Sequence, residues 1–291
     1  MHSELHHRSS VASSMNTTIV LVVLSAGLMH AVWNAMTKSL HDQFASFALL
    51  NISIAAISYI MLPLVGLPRA ACWLYLIGST VCHLSYELFL MGSYRRADFS
   101  QSYTIARGIA PLLVSLAGFI FANEHVGARG LIGILVIVAG IISLVVRRDG
   151  RATEGFGVVW ALATGAAIAS YTVVDGLGVR VSHDAFQYGA MLFALQSTIW
   201  LFGVVLRRRD WWPTSRRAAV GLASGVLSMA AYLAVLWAQV RAPLGVVSAL
   251  RETGVLWAAV IGVVIFHEGR LRRVVVPAIL VVAGIALLSL S

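Results

Sequence analysis

The chain has 291 residues, of which 59% are hydrophobic and 11% are charged. This composition excludes an ordinary water-soluble domain, in which about 25% of the residues are charged. The formal net charge of +9 does not indicate nucleic-acid binding, because the basic residues cluster between apolar segments, where they set membrane orientation.

Ten apolar segments follow one another along the chain. They span residues 17–37, 44–65, 71–91, 100–121, 130–146, 155–174, 185–206, 218–240, 246–266 and 274–290. Each is long enough to cross a hydrocarbon core of ~30 Å as a helix. We therefore predict an all-α membrane protein with ten transmembrane helices. Residues 1–14 form a polar leader to which we assign no function, and the first segment lacks a signal-peptide cleavage site.

Basic residues distribute unequally between the alternate loops. The side that holds the N-terminus carries five Lys and Arg residues, and the other side carries fourteen. Cytoplasmic loops retain positive charge, so the second side is predicted to be cytoplasmic. We expect a multi-pass protein of a bacterial inner membrane with both termini in the periplasm.

An internal repeat relates residues 107–144 to residues 251–288 at a constant shift of 144. The matches include Arg107 with Arg251, Gly118 with Gly262, Glu124 with Glu268, Arg129 with Arg273, and residues 138–141 with 282–285. Five helices are an odd number, so the second copy enters the membrane with the opposite orientation. We predict two inverted five-helix repeats, 15–150 and 151–291. Such repeats favour a transporter, because exchanging conformations between the halves exposes a central site to each side in turn.

Arg107 and Arg251 occupy equivalent positions inside apolar helices. An arginine fork suits a carboxylate, phosphate or phosphonate group of a substrate. One alternative is that the side chains extend to the membrane interface. Another is a structural ion pair with Glu87 or Glu252. The duplication of a costly residue favours the functional interpretation.

Pro111 lies four residues after Arg107. It removes the hydrogen bond to the Arg107 carbonyl, so a kink is predicted at Gly108 and Pro111. Loosened backbone beside a cavity exposes amides and carbonyls to substrate. The alternative is a proline that the helix tolerates.

Glu87 and His83 share a helix face, with Tyr86 beside them. Glu87 is interpreted either as a binding site for a proton, cation or amine, or as the neutralising partner of an arginine. His30 is a candidate proton relay, although a satisfied polar contact is the preferred interpretation.

Trp33 and Tyr103 are candidates for lining a substrate pocket. Aromatic rings also form interfacial belts in membrane proteins, and that alternative is preferred for Tyr94 and Trp257.

Several short stretches resemble the EamA branch of the drug/metabolite transporter superfamily. They are His30, Ala31, Trp33, Asn34 and Lys38 in the first segment, Arg107 and Gly108 with Pro111, Glu124, and Arg251, Glu252 and Thr253 followed by Glu268. The resemblance covers nearly the whole chain from Met15. It implies ten helices in two inverted repeats, a central cavity, export or uptake of metabolites, and a structural cap role for Glu124 and Glu268. Tyr171 matches an aromatic position, but Asp175 stands where a lysine is common.

The combined prediction is a secondary transporter of a small anionic or zwitterionic metabolite such as an amino acid, working by alternating access. The candidate substrate-binding residues are Arg107, Arg251, Trp33, Asn34, Tyr86 and Tyr103, and the candidate coupling or charge-partner residues are Glu87, His83, Glu252 and His30. Alternatives are an exporter of lipophilic cations or drugs, and a flippase of a lipid-linked substrate. A membrane-embedded enzyme is disfavoured, because no HExxH, GxSxG or phosphate-binding glycine loop is present. We expect no cofactor or metal, a small-molecule substrate and the lipid bilayer as partners, proton coupling as one option, and a monomer or homodimer.

Overall fold

The computed structural model describes residues 16–40, 42–96, 99–124, 126–146, 155–207, 215–265 and 272–289. Within these ranges the regular structure is helical and no strand occurs. The α-helices are α1 (Thr17–Ser39), α2 (Gln43–Val65), α3 (Trp73–Arg96), α4 (Phe99–Phe121), α5 (Ala128–Val146), α6 (Gly155–Ser182), α7 (Ala185–Arg207), α8 (Ser215–Gln239), α9 (Leu244–Glu252), α10 (Gly254–Val264) and α11 (Arg272–Ser289). A short 3-10 turn, Ala70–Cys72, precedes α3.

Each of the ten predicted apolar segments is helical. Among the described residues, seven helical spans are long and apolar enough to cross a membrane, with α9 and α10 counted as one span. Three shorter apolar helices complete the set: Ala106–Phe121, Ala128–Ser143 and Val275–Leu288. The prediction of an all-α membrane fold is confirmed, and the protein is a multi-pass membrane protein.

The outer surface of the bundle is apolar, as lipid contact requires. Leu64 and Leu74 are 80% and 81% exposed. The hydrocarbon core offers no water to pair with backbone N–H and C=O groups. A helix pairs these groups internally, so an apolar helix can lie directly against lipid. The first backbone N–H groups of a helix have no intrahelical acceptor, so side chains accept from them. Asn16 accepts from Thr18 N at 2.9 Å, and Asp184 accepts from Phe186 N at 2.8 Å.

The ninth apolar segment is divided into α9 and α10 at Thr253, which has φ −59° and ψ −19°. The turn is tightened by bonds three residues apart, from Thr253 N to Leu250 O and from Leu256 N to Thr253 O. By contrast, α4 continues through Pro111 as one helix. Helix interruption therefore lies in the ninth segment, and a bend at Gly108 and Pro111 stays a prediction.

The helices pack in a regular pattern. The main contacts join α1 to α8, α3 to α6, α4 to α6, α1 to α9 and α10, α2 to α7 and α8, α4 to α5 and α9, and α5 to α11. Helices α1, α3, α4, α6 and α9 carry the buried charged side chains of the site described next.

A buried polar core as the candidate binding site

Seven arginine, histidine, aspartate and glutamate side chains are buried together among the membrane-spanning helices. We call this group the polar core; its members are His30, His83, Glu87, Arg107, Asp175, Arg251 and Glu252, each at most 9% exposed. Ionisable residues at membrane depth are costly and mark substrate or ion pathways. The polar core is thus the candidate functional site.

The two predicted arginines meet at one carboxylate. Arg107 on α4 donates from Nη1 to Glu252 Oε2 at 3.0 Å. Arg251 on α9 donates from Nε to Glu252 Oε1 at 3.0 Å, and its Nη2 lies 2.9 Å from the same oxygen. Glu252 is fully buried and both arginines are 2% exposed. Of the two acidic partners considered from the sequence, the structure therefore pairs the arginines with Glu252.

This arrangement leaves one positive charge in excess, because two guanidinium groups share one carboxylate. His30 lies beside them. Its Nδ1 accepts from Trp33 Nε1 at 3.0 Å, and its Nε2 contacts Arg107 Nη2.

Helix α6 provides the other side of the arginine cluster. Arg251 Nη2 donates to Thr172 Oγ1 at 3.2 Å. The Arg251 guanidinium carbon lies 5.8 Å from the ring centre of Tyr171, within the range of a cation-π contact. The same Tyr171 ring stacks on His83 with a centroid distance of 4.1 Å. Tyr171 therefore separates the arginine cluster from a second polar group.

Asp175 is the centre of that second group and is fully buried. Its Oδ1 accepts from the Tyr188 hydroxyl at 3.0 Å, and Oδ2 contacts His83 Nε2 at 3.0 Å and the Tyr232 hydroxyl. Sequence reasoning noted Asp175 only as a departure from the family pattern. The criterion that selected Glu87, a carboxylate within an apolar helix, would also have selected Asp175.

Glu87 forms a third group, with neutral partners. Its Oε1 accepts from Gln196 Nε2 at 3.0 Å and from Asn51 Nδ2 at 3.4 Å, and its Oε2 accepts from Trp200 Nε1. Although His83 and Glu87 share a face of α3, they have separate partners. Asn51, Gln196 and Trp200 were not selected from the sequence, because they meet Glu87 only when α2 and α7 pack near α3.

Several predicted binding residues also lie at the polar core. Trp33, Asn34 and Tyr86 are at most 6% exposed. Asn34 Nδ2 donates to the His30 carbonyl at 2.8 Å, and the Tyr86 ring packs edge-on to Tyr171 at 5.5 Å. The side chains of Tyr94 and Tyr103, Glu268 and the leader 1–14 lie outside the described residues.

Glu124 lies away from the polar core. Its Oε2 accepts from Leu244 N at 2.8 Å, at the first residue of α9, and its Oε1 lies 2.5 Å from Arg180 Nη2. Arg180 also donates to the Gln239 and Ala242 carbonyls, at 2.9 and 3.1 Å, beyond the end of α8. These contacts agree with the cap role that the family resemblance implies for Glu124, with the start of α9 as the capped end.

Comparisons with known proteins agree with this architecture. Residues 155–290 match the sequence model of the EamA-like transporter family. A solved crystal structure superposes with a TM-score of 0.77 and 19% sequence identity, over 94% of this chain and 98% of that chain. Its fold is thus shared over nearly the whole length. No curated protein matches the chain.

The resemblance drawn from short motifs is thus confirmed by the family match over residues 155–290. This match indicates a membrane transporter of the drug/metabolite transporter superfamily.

Proposed function

We propose that the protein is a secondary transporter that carries a small anionic or zwitterionic metabolite, such as an amino acid, by alternating access to the polar core. The observation that carries this proposal is the pair of buried arginines that share the single carboxylate of Glu252. The two guanidinium charges of this cluster exceed the single carboxylate charge of Glu252. A cargo with an acidic group would balance the excess.

The acidic group would bind at the arginine cluster, where a carboxylate or phosphonate oxygen accepts hydrogen bonds from the Arg107 guanidinium. Hydrogen bonds to a charged group contribute about 1.5–3 kcal/mol each. Glu252 continues to hold Arg251 while the cargo engages Arg107, so cargo binding leaves no guanidinium without an acceptor.

A zwitterionic cargo also requires a place for its ammonium group. Asp175 contacts His83 and the Tyr232 hydroxyl, and the rings of both residues pack against Tyr171. Aromatic rings attract cations, and a nearby carboxylate strengthens that attraction. Positive and negative groups that are linked through one aromatic ring suit a small molecule with both charges.

Alternating access is supported by contacts that repeat at the shift of 144. On Gly140, a Cβ would lie 3.1 Å from the Pro277 carbonyl; on Gly284, it would lie 2.7 Å from the Gly133 carbonyl. Adding 144 to Gly133 and Gly140 gives Pro277 and Gly284. The contact between Gly140 and Pro277 and the contact between Gly284 and Gly133 are therefore equivalent under the repeat. The pairing of α1 with α8 and of α3 with α6 has the same relation. These observations favour two inverted repeats, 15–150 and 151–291.

Export of a lipophilic cation is the second candidate. Asp175 and Glu87 are two buried carboxylates without an arginine or lysine partner in the described structure, and aromatic side chains contact both. This arrangement favours a cation. Binding of a cation by these carboxylates should not depend on the arginines, whereas binding of an anionic cargo should, and this difference distinguishes the two candidates.

The test is thermal unfolding of purified protein against amino acids, phosphonates, sugar phosphates and lipophilic cations. A ligand at a hundred times its Kd stabilises the protein by ~2.7 kcal/mol. We expect stabilisation by anionic or zwitterionic compounds in wild type and its loss in Arg107→Ala. The variant should fold, because Glu252 keeps its contact with Arg251.

Arg241→Ala is the matched control. The Arg241 guanidinium lies on the exposed side of the bundle, 4.3 Å from the ring centre of Trp237. Its removal should leave ligand stabilisation unchanged. Unaltered anion binding in Arg107→Ala would overturn the proposed site, and stabilisation by lipophilic cations that survives Arg107→Ala would support the second candidate.

A further inference from the structure

We infer that Glu87, Asn51 and Gln196 form a proton-binding site whose proton drives the transport proposed above. This inference rests on the proposed function for its role in coupling. Proton binding at the site is independent of the cargo. The three residues come from α3, α2 and α7, so the site joins three helices.

The first observation is the burial of an acid without a cation. Glu87 is 4% exposed, Gln196 is 3% exposed and Asn51 is fully buried. The partners of Glu87 are three neutral N–H groups. A carboxylate at membrane depth whose negative charge is not balanced by a cation is costly, so it is neutralised when a proton is supplied.

The second observation concerns the amide oxygens of the same residues. Asn51 Oδ1 and Gln196 Oε1 are buried and accept no hydrogen bond within the described chain. Their amide nitrogens, in contrast, lie 3.4 and 3.0 Å from Glu87 Oε1. Unpaired buried acceptors are uncommon in proteins and call for an explanation. A rotation of the amide group would turn such an oxygen toward the Glu87 carboxyl group.

Rotation of the Gln196 amide by about 180° exchanges its oxygen and nitrogen. Asn51 Nδ2 also donates to the Phe47 carbonyl at 3.0 Å, which holds the orientation of that amide. With its nitrogen toward Glu87, Gln196 donates to the ionised carboxylate; with its oxygen toward Glu87, it accepts from the O–H of the protonated acid. The pocket thus satisfies both protonation states by moving one side chain, which is the property required of a reversible proton carrier.

A metal cation fits this pocket poorly. Hard cations take about six or more oxygen ligands. The pocket offers the two oxygens of Glu87 and the two amide oxygens, and the Trp200 indole N–H already occupies Glu87 Oε2. A proton needs a single acceptor.

The surrounding titratable groups have other partners. On the helices packed against α3, these are Tyr171 and Asp175 on α6, Tyr188 on α7 and Arg107 on α4, with His83 and Tyr86 on α3 itself. His83 and Tyr188 contact Asp175, and Arg107 contacts Glu252. Among the carboxylates of the polar core, Glu87 is the one that contacts neither an arginine nor a histidine.

The total charge of the polar core indicates why a bound proton would favour transport. The polar core contains two arginines and three carboxylates, which leaves one formal negative charge when the histidines are neutral. A proton on Glu87 brings this total to zero. Reorientation of the bundle around a zwitterionic cargo is then favoured with the proton bound, because no net charge is carried through the membrane.

Proton binding is tested first, without cargo. An infrared difference spectrum between low and high pH on the purified full chain reports the C=O stretch of protonated carboxylic acids. We expect one band that is lost in Glu87→Gln and retained in Asp184→Asn, which alters an exposed carboxylate at the start of α7 while keeping a capping oxygen. An unchanged spectrum in Glu87→Gln would overturn the inference.

Coupling is tested in liposomes, with the compound that stabilises the protein most in the thermal panel. In Glu87→Gln, a mimic of the protonated state, exchange of labelled for unlabelled compound should no longer change with pH. Accumulation driven by a pH gradient should fall to the level of empty liposomes, whereas Asp184→Asn should accumulate the compound as wild type does. Undiminished accumulation in Glu87→Gln, or accumulation that follows a sodium gradient instead, would overturn the coupling role.

Gln196→Leu is the second variant, for the case in which Glu87→Gln does not fold. It removes one amide that serves both protonation states, so the pH midpoint of the infrared band should shift by about one unit, as for one hydrogen bond. An unchanged midpoint would contradict the role of the amides. If no panel compound binds, the proposed function fails, whereas the infrared experiment still decides the proton site.

Discussion

Glu252 is the residue on which the arginine cluster depends. It is fully buried and accepts hydrogen bonds from both Arg107 and Arg251. Buried ion pairs contribute little net stability, but removing one partner leaves an uncompensated charge. The single carboxylate of Glu252 therefore stabilises both arginines inside the membrane.

Glu252→Gln should destabilise the protein by about 3–5 kcal/mol, because two guanidinium groups would lose their only anion in the cluster. Thermal unfolding in detergent measures this change. Anionic compounds should stabilise the variant more than they stabilise wild type, since they replace the lost charge.

Asp184→Asn is the control for loss of one acidic charge, and its unfolding temperature should stay near that of wild type. Glu252→Gln with wild-type stability and wild-type response to anions would contradict the shared-carboxylate account.

At the scale of elements, the break between α9 and α10 lies against the backbone of α1. A Cβ on Gly254 would lie 2.5 Å from the Gly27 carbonyl oxygen, and a Cβ on Gly27 would lie 3.0 Å from the Arg251 carbonyl oxygen. Backbone atoms cannot move aside as the flexible end of a side chain can. The two glycines therefore let α1 and the broken segment approach closely, next to Arg251 and Glu252.

Gly254→Ala should destabilise the protein by about 1–3 kcal/mol, because the added methyl group forces the helices apart. Thermal unfolding measures the loss, and cargo binding should weaken as Arg251 and Glu252 move with the backbone. Gly203→Ala is the matched control, since a Cβ there meets nothing within 4 Å. That variant should be more stable by about 0.5–1 kcal/mol through its higher helix propensity. Equal behaviour of both variants would contradict the close-packing role of Gly254.

At the scale of the whole molecule, the polar core is enclosed. Arg107, Arg251 and Glu87 are each at most 4% exposed, although they come from three helices in both halves of the chain. These residues are thus closed off from solvent. The alternating access proposed above requires that the bundle open toward each side of the membrane, with Arg180 and Glu124 joining α6, α8 and α9 at one end.

The orientation of the molecule is predicted from charge alone. Alkaline phosphatase fused after residue 291 should be active, because the C-terminus is expected in the periplasm, and green fluorescent protein fused there should be dark. Fusions within residues 147–154 should show the reverse, because that loop lies on the side with fourteen basic residues. The opposite pattern of activities would contradict the charge-based orientation.

Much of the fold was predictable from the sequence, because the bilayer acts on local properties. Length and hydrophobicity select a membrane helix one segment at a time, so all ten predicted segments correspond to helices. Arg107, Arg251, Glu252, His83 and Glu87 were also recognisable, since an ionisable residue within an apolar run is conspicuous by itself.

Pairing between distant residues was decided by the tertiary structure. Local sequence does not reveal that Glu252 rather than Glu87 holds Arg107, because these residues meet only when α4 packs on α9. The same holds for Glu87 with Gln196, and for Asp175 with His83. The break at Thr253 lies against Gly27, more than 200 residues away in the sequence, whereas Pro111, the local signal for a break, lies within a continuous helix. Hydrophobicity along the chain thus determined which segments enter the membrane, and packing between helices decided which charges meet inside it.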